Sequence, residues 1–198
     1  MDKAERSEGK RLEIVKRAFD QFYDGGFHAT GVDTILAETG ISKRTLYKYF
    51  PSKDDLIEAV LDYYGAWIVG ELFDPVASLS ATPREQILAF FDVRRARMQK
   101  VPNRGCLGIK ASQEFVGKHA GIMAHGKQVT LRVESVFVEL CERAGFTRPA
   151  ELGKQLNLLF QGAMLLSLVY GDSSPFGSAK DAVVALLDAQ RDGASLEA

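Results

Sequence analysis

The spacing of apolar residues along this chain constrains its fold more than any other feature. These residues recur at steps of three and four in one segment after another, as in Leu12, Val15, Phe19 and Phe22. This period matches an α-helix with one apolar stripe, whereas a half-buried strand needs alternation every two residues. No segment shows sustained alternation between turn residues, so the sequence predicts an all-α protein.

Two short helices are predicted after the first one. Gly25 and Gly26 end the first helix, and helical patterns resume at Val32–Thr39 and at Lys43–Tyr49. The turn between them is Gly40–Ser42. A turn of three or four residues that contains glycine lets two helices meet near a right angle, as in a helix-turn-helix.

The starts of these helices carry capping residues. Thr30 with Asp33 fits a capping box for the first short helix, and Ser42 can cap the second. Ser52 with Asp55 forms another capping-box pattern, which predicts the start of a long fourth helix.

A loop is predicted to separate this region from the rest of the chain. Its turn residues are Pro75, Ser78, Ser80, Thr82 and Pro83. Beyond it, helical patterns run over about 84–100, 106–117, 121–145, 150–171 and 179–191. A break is expected at Pro102–Gly105.

Charge is concentrated in the second short helix. The whole chain has 25 Lys and Arg against 26 Asp and Glu, a net charge of −1. Ser42–Lys53 nevertheless holds four cations and no acid: Lys43, Arg44, Lys48 and Lys53. Such a patch suits DNA phosphates, although a solvated helix face could carry the same run.

The side chains of the second short helix suit DNA recognition. Lys43 and Arg44 can pair with guanine edges or phosphates, and Thr45 can reach a base edge. Tyrosine hydroxyls and a cation at the next helix start can bind phosphates. The predicted DNA-binding set is Thr30, Ser42, Lys43, Arg44, Thr45, Tyr47, Lys48, Tyr49 and Lys53. The alternative is a helical hairpin that serves only as core.

The TetR family of bacterial transcriptional regulators has an N-terminal domain that resembles the string GFHATGVDTILAETGISKRTLYKYFPSKDDL. The residues that carry the resemblance are Gly40, Ser42, Thr45, Leu46, Tyr47, Tyr49, Phe50, Ser52 and Lys53. Two positions depart from the family pattern: Gly31 replaces a frequent Ser or Thr, so Thr30 is expected to cap, and Leu36 replaces a small residue.

The resemblance implies the organisation and function of the chain. Residues 1–52 are then a three-helix DNA-binding head, and residues 53–198 are a larger helical domain for effector binding and dimerisation. A homodimer is expected on a palindromic double-stranded DNA operator. A small-molecule effector is expected to release this repressor from DNA. The alternatives are activation in place of repression, and a helical enzyme or small-molecule-binding protein whose helix-turn-helix is only structural.

An effector site is expected among the helices of the larger domain. Apolar stripes there are typical of core, but the resemblance places a cavity among them, with Trp67 facing it. Such a cavity also needs a few polar groups. The candidates are Trp67, Phe91, Arg94, Met98, Cys106, Gln113 and Phe137.

Cys106 has two interpretations. Beside Arg104, in the first turn of a helix, its thiol could be a reactive sensor of electrophiles or oxidants. It could also be a small buried hydrophobic residue. Cys141, among apolar residues in the middle of a helix, is expected to be inert.

The last two helical patterns are apolar on nearly every side, which calls for burial on several faces. Pairing with a second copy in a four-helix bundle would provide it. The predicted interface is Leu158, Gly162, Leu165, Leu166, Val183 and Leu187.

Several classes of site are not expected. His28, His119 and His125 lack the spacing of a metal set. The sequence has no nucleophile elbow, P-loop or dinucleotide-binding glycines, so neither a cofactor nor an enzyme is predicted. The charged N-terminus and the absence of a long apolar run predict a cytoplasmic protein.

Overall fold

The computed structural model describes residues 3–37, 39–79, 82–101 and 103–194, and these ranges contain helices and no β-strand. The helices are α1 Lys3–Gly25, α2 Val32–Leu36, α3 Lys43–Tyr49, α4 Lys53–Ile68, α5 Asp74–Leu79, α6 Pro83–Met98, α7 Leu107–Phe115, α8 Ala120–Arg143, α9 Pro149–Tyr170 and α10 Ser174–Ala194. The predicted all-α class is confirmed. No helix among the described residues is long and apolar enough to cross a membrane.

Two compact units divide the chain. The first contains the described residues of Met1–Trp67 and Leu107–Val129, and the second those of Ile68–Cys106 and Thr130–Ala198. This is a division by compactness. The functional boundary expected between residues 52 and 53 stays a prediction.

The core of the first unit holds the helix-turn-helix together. Ile35, Ile41 and Leu46 are buried as the sequence predicts. Helix α1 contacts α2, which contacts α3. Gly26 ends α1 with φ +82°, a left-handed conformation that glycine adopts without steric cost.

Helix α7 belongs to the first unit although it lies far along the chain. The Glu114 carboxylate accepts hydrogen bonds from the amides of Phe27 and His28, at 2.9 and 2.7 Å. The Lys110 ammonium donates to the Tyr23 carbonyl at 2.6 Å. These bonds fix the turn between α1 and α2 from outside the helix-turn-helix.

An aromatic cluster forms the core of the second unit. Phe90 and Phe137 have ring centroids 4.7 Å apart, Phe91 and Phe160 5.5 Å, and Phe160 and Phe176 5.8 Å. All five are almost completely buried. Helix α10 packs against both α6 and α9 around this cluster.

The predicted loop after α4 is wrong in its first part. A π-helical segment, Val69–Phe73, leads directly into α5. Pro75, which has no amide hydrogen to donate, lies just after this π-helical segment and does not end the helical run. Ser80, and Pro102 of the later predicted break, lie outside the described residues.

Candidate DNA interface and effector-domain residues

Helix α3 presents a polar face to solvent. Leu46 alone in this helix is buried. Exposed or half-exposed side chains cover the rest of the segment: Ser42, Lys43, Arg44, Thr45, Tyr47, Lys48 and Tyr49. These residues lie together on one exposed surface, which we call the α3 face.

The cap predicted at Ser42 is confirmed. The Ser42 hydroxyl oxygen accepts a hydrogen bond from the Thr45 amide at 3.1 Å, and the two hydroxyls lie 2.9 Å apart. This bond satisfies one of the free amides at the helix start and fixes where α3 begins. Lys43 and Arg44 therefore fall in the first turn, the end that recognition helices direct toward bases.

Lys43 has a partner that the sequence did not indicate. Its ammonium lies 2.8 Å from a carboxylate oxygen of Asp33 on α2. The hydrogen bond to Asp33, with the negative charge of that carboxylate, raises the pKa of Lys43 above its usual value. In the free protein, one cation of the α3 face is thus held in an ion pair.

Thr30 does not cap α2, and its predicted role is corrected here. Gly31 is the capping position, and no side chain bonds to the free amides of α2. Thr30 is 4% exposed, and its hydroxyl donates to the Gln21 carbonyl at 3.2 Å. Because it fastens α1, the Thr30 side chain is not part of the α3 face.

The start of α4 is confirmed as a capping box. The Asp55 carboxylate accepts from the Ser52 amide at 2.8 Å, and the Ser52 hydroxyl accepts from the Asp55 amide at 3.1 Å. Lys53 stands within this box, half-exposed, with its ammonium 5.9 Å from the centre of the Phe22 ring. A cation at a helix N-terminus is a fitting contact for a DNA phosphate.

This geometry agrees with comparisons to known proteins. The model of the family described as "Bacterial regulatory proteins, tetR family" matches residues 14–60, which include the α3 face. The chain therefore carries the DNA-binding domain of the TetR family of regulators. Members of this family are transcriptional regulators that bind DNA, rather than enzymes.

Relatives of this regulator match it over different lengths. YxaF of Bacillus subtilis, an HTH-type transcriptional regulator, is 29% identical over 83% of this chain and 88% of its own. KstR2 of Mycolicibacterium smegmatis, named a repressor, is 30% identical over 41% of this chain and 40% of its own. FasR of the same species, named an activator, is 42% identical over 26% and 24%.

Solved structures share the fold of the regulator. A TetR-family regulator from Streptomyces coelicolor has a TM-score of 0.81 at 24% identity and covers 91% of this chain and 95% of that one. A regulator from Streptomyces avermitilis has a TM-score of 0.78 at 28% identity, with coverage of 91% and 97%.

The predicted effector-binding residues do not form one group. Trp67 and Gln113 belong to the first unit. Trp67 stacks on Tyr64 with ring centroids 5.7 Å apart, and Gln113 is exposed. Phe91 and Phe137 lie in the aromatic core of the second unit.

The remaining candidates surround the loop after α6. The Arg94 guanidinium donates to the Asn103 side-chain oxygen at 3.0 Å, and Met98 lines a cavity of about 450 Å³. Cys106 is 7% exposed. Cys141 is also buried, and burial raises the pKa of its thiol to about 12, in keeping with the inert role predicted for it.

The predicted interface residues separate into two groups. Leu158, Leu165 and Leu166 are exposed on α9, and Gly162 is half-exposed between them. Val183 and Leu187 are instead fully buried within the second unit, because α10 packs against α6 and α9. They are core residues and are removed from the predicted interface.

The histidines have structural partners. His119 accepts from the Ile122 amide at 3.1 Å and so caps α8. His125 lies 2.8 Å from Asp62, and the His28 ring lies 3.0 Å from the Glu114 carbonyl oxygen. Within the described ranges, no three His, Cys, Asp or Glu side chains form a group that could hold a metal ion.

Proposed function

We propose that this regulator is a repressor that acts in the cytoplasm, binds a palindromic operator as a homodimer and leaves it when a small-molecule effector binds. The observation that carries the proposal is the pair of surfaces that the chain leaves uncovered. One is the cationic α3 face, and the other is an apolar stripe on α9.

The α3 face supports the DNA-binding part. A capped helix with a single inward residue leaves every other side chain available to a groove. Arg44 and Thr45 are placed to read bases, while Lys48, Lys53 and the two tyrosines suit phosphates. Lys43 can join them by exchanging Asp33 for a phosphate, since its pair with Asp33 is exposed and therefore weak.

The α9 stripe supports the homodimer. Leu158, Gly162, Leu165 and Val169 are spaced by four, three and four residues, so they share one side of the helix. Leu158 is 73% exposed and Val169 71%. Contiguous exposed apolar surface of this kind marks an interface, and a second α9 would cover it around a twofold axis.

A sensor role for Cys106 has little support, because the residue is buried. A reactive thiol needs access to its oxidant or electrophile, and this one is almost completely buried. Its burial favours the interpretation as a small core residue, so regulation through Cys106 is not part of the proposal.

The proposal is tested with the full-length chain. Duplexes that the protein retains are selected from a random pool, and binding is then measured by fluorescence anisotropy over a range of salt concentrations. Lys48→Ala should weaken binding to every selected duplex and lower the salt slope by about two for the homodimer, one for each protomer. Lys127→Ala removes an exposed lysine of α8 and should leave both unchanged.

Two further measurements address the finer points. Sedimentation equilibrium should give a dimer, and a promoter carrying the selected operator should be less active when the protein is present. A wild-type protein without salt-sensitive, sequence-preferring binding would refute the DNA-binding part, and a stimulated promoter would refute repression.

A further inference from the structure

The second unit contains a cavity whose lining includes Met98 but none of the other residues that the sequence suggested for an effector site. It has a volume of about 450 Å³ and lies where α6 ends and α9 passes into α10. Its lining residues are Met98, Gln99, Asn103, Ser167, Leu168, Gly171, Asp172 and Ser173. The volume falls within the range usual for sites that bind small organic molecules.

Ser167 is the unusual residue of this lining. It is 1% exposed, and its hydroxyl has no hydrogen-bond partner among the described residues. Buried hydroxyls are nearly always paired, because an unpaired one loses its bonds to water without replacement. A serine inside a helix can usually bond to the carbonyl four residues before it. Here the residue borders a cavity instead, and a ligand bound there could supply the missing partner.

Asn103 gives the cavity a second neutral polar group in a fixed orientation. Its side-chain oxygen accepts from Arg94 and from the Gly105 amide, both at 3.0 Å. Its side-chain nitrogen donates one hydrogen to the Met164 carbonyl at 2.9 Å. The second amide hydrogen remains for a ligand.

The charged residue of the lining lies at the exposed edge. Asp172 accepts from the Ser174 amide at 2.7 Å, and hydrogen bonds from the Ser174 hydroxyl and amide lower the pKa of its carboxyl group. This carboxylate is therefore hydrogen-bonded to the first residue of α10. The other polar residues of the lining are neutral: the amides Gln99 and Asn103 and the hydroxyls Ser167 and Ser173, beside the apolar side chains of Met98 and Leu168.

We propose that this cavity binds a small neutral organic molecule, with an apolar body and one hydroxyl or carbonyl oxygen that pairs with Ser167 and Asn103. It would be the effector site, a role that rests on the proposed function. Ser167 follows Leu158 by nine residues, two and a half helical turns, so it lies on the side of α9 opposite the α9 stripe. Occupation of the cavity therefore does not compete with dimerisation.

The position of Asn103 connects the cavity to the following segment. Its bond to the Gly105 amide supports a residue with φ +78°, and α7 begins two residues later, at Leu107. A ligand that hydrogen-bonds to the Asn103 side chain would therefore act on the residue that holds the Gly105 amide. Through that bond it could shift the segment that enters α7.

Methionine methyl NMR on the full-length protein tests the binding. Met98 lines the cavity and reports on it, while Met123, in the first unit, serves as the internal control. The probes are 1-hexanol and cyclohexanol, compared with hexylamine and hexanoate as charged matches of 1-hexanol. The alcohols should shift the Met98 signal saturably, and the charged probes should bind more weakly.

Ser167→Ala distinguishes a ligand site from a structural serine. It should weaken alcohol binding about three- to tenfold, the usual worth of one hydrogen bond. Without ligand it should raise the melting temperature by about 2–4 °C, because it removes an unpaired buried hydroxyl. Ser135→Ala, at an exposed serine of α8, should leave alcohol binding unchanged.

Several results would overturn the site: no Met98 shift with either alcohol, an affinity that Ser167→Ala leaves unchanged, tighter binding of a charged probe, or a lower melting temperature for Ser167→Ala. Operator affinity is measured separately, with and without 1-hexanol. If an alcohol binds in the cavity without weakening the operator complex, the cavity is a ligand site but not the effector site. Failure of DNA binding without any alcohol refutes the proposed function instead.

Discussion

Helices α3 and α9 both expose residues that their own fold does not require, and the chemistry of the two surfaces is opposite. On α3, one leucine enters the core, and the exposed side chains are cationic, hydroxylic or aromatic with a hydroxyl. On α9, eight residues are buried, and the exposed side chains are mainly leucine and valine. The α3 surface suits a polyanion, and the α9 surface suits another apolar surface.

The contrast also shows why each helix depends on the other. A single seven-residue helix offers few contacts to a duplex, so specificity requires a second head at a fixed spacing. The α9 stripe can provide that second head.

Charges placed on the α9 stripe should separate the protomers. Leu158→Glu with Leu165→Glu would bury carboxylates at the proposed interface, and the protein should sediment as a monomer. Loss of the linked second head should lower operator affinity by about 100-fold or more, in line with the usual gain from bivalency. Leu79→Glu, at a 69% exposed leucine of α5, is the matched control and should keep the dimer. A doubly substituted protein that stays dimeric would place the interface elsewhere.

The inner side of α9 should be far less tolerant than the outer side. A Cβ at Gly153 would lie 2.8 Å from the backbone nitrogen of Val138, whereas one at Gly162 would meet nothing within 4 Å. Gly153→Ala should therefore lower the free energy of unfolding by about 1–3 kcal/mol. Gly162→Ala should leave it unchanged or raise it by up to about 1 kcal/mol. Denaturant titrations measure both, and equal losses would contradict this assignment of the two sides.

The cap of α3 should have a smaller effect on stability. Ser42→Ala removes the acceptor of the Thr45 amide and should cost about 1 kcal/mol, while Ser42→Gly should cost only a few tenths. Operator affinity should fall more for alanine than for glycine, because the start of α3 sets the position of Arg44. Thermal unfolding and anisotropy give the two quantities. If both variants are equally stable, the cap contributes little.

Removal of the acid beside Lys43 should have the smallest effect, and it should favour binding. Asp33→Asn takes away the carboxylate that competes with DNA phosphates for this ammonium. Operator affinity should rise a few-fold, and the salt slope should increase by about two for the homodimer, one for each protomer. A fall in affinity would mean that Asp33 positions Lys43 for the operator. Asp54→Asn, a like change in the first turn of α4, is the control.

The sequence predicted elements well where the signal was local. The bounds of α3, the Ser42 cap and the Ser52–Asp55 box are as expected because they depend on residues within one helical turn. The loop prediction around Pro75 failed because proline usually ends a helix, whereas here it follows a π-helical segment within a continuous helical run. Thr30 failed as a cap because its hydroxyl bonds to a carbonyl nine residues earlier.

By itself the sequence determined the helical class, the helix-turn-helix and the family of this regulator, since period, caps and motif are written in neighbouring residues. Only the tertiary structure decided which apolar residues are core and which are exposed, as between Val183 and Leu158. It also decided the pairing of Lys43 with Asp33 and the meeting of Asn103 with Ser167 at one cavity. Such contacts join residues distant along the chain, and packing between helices, which no local pattern encodes, brings them together.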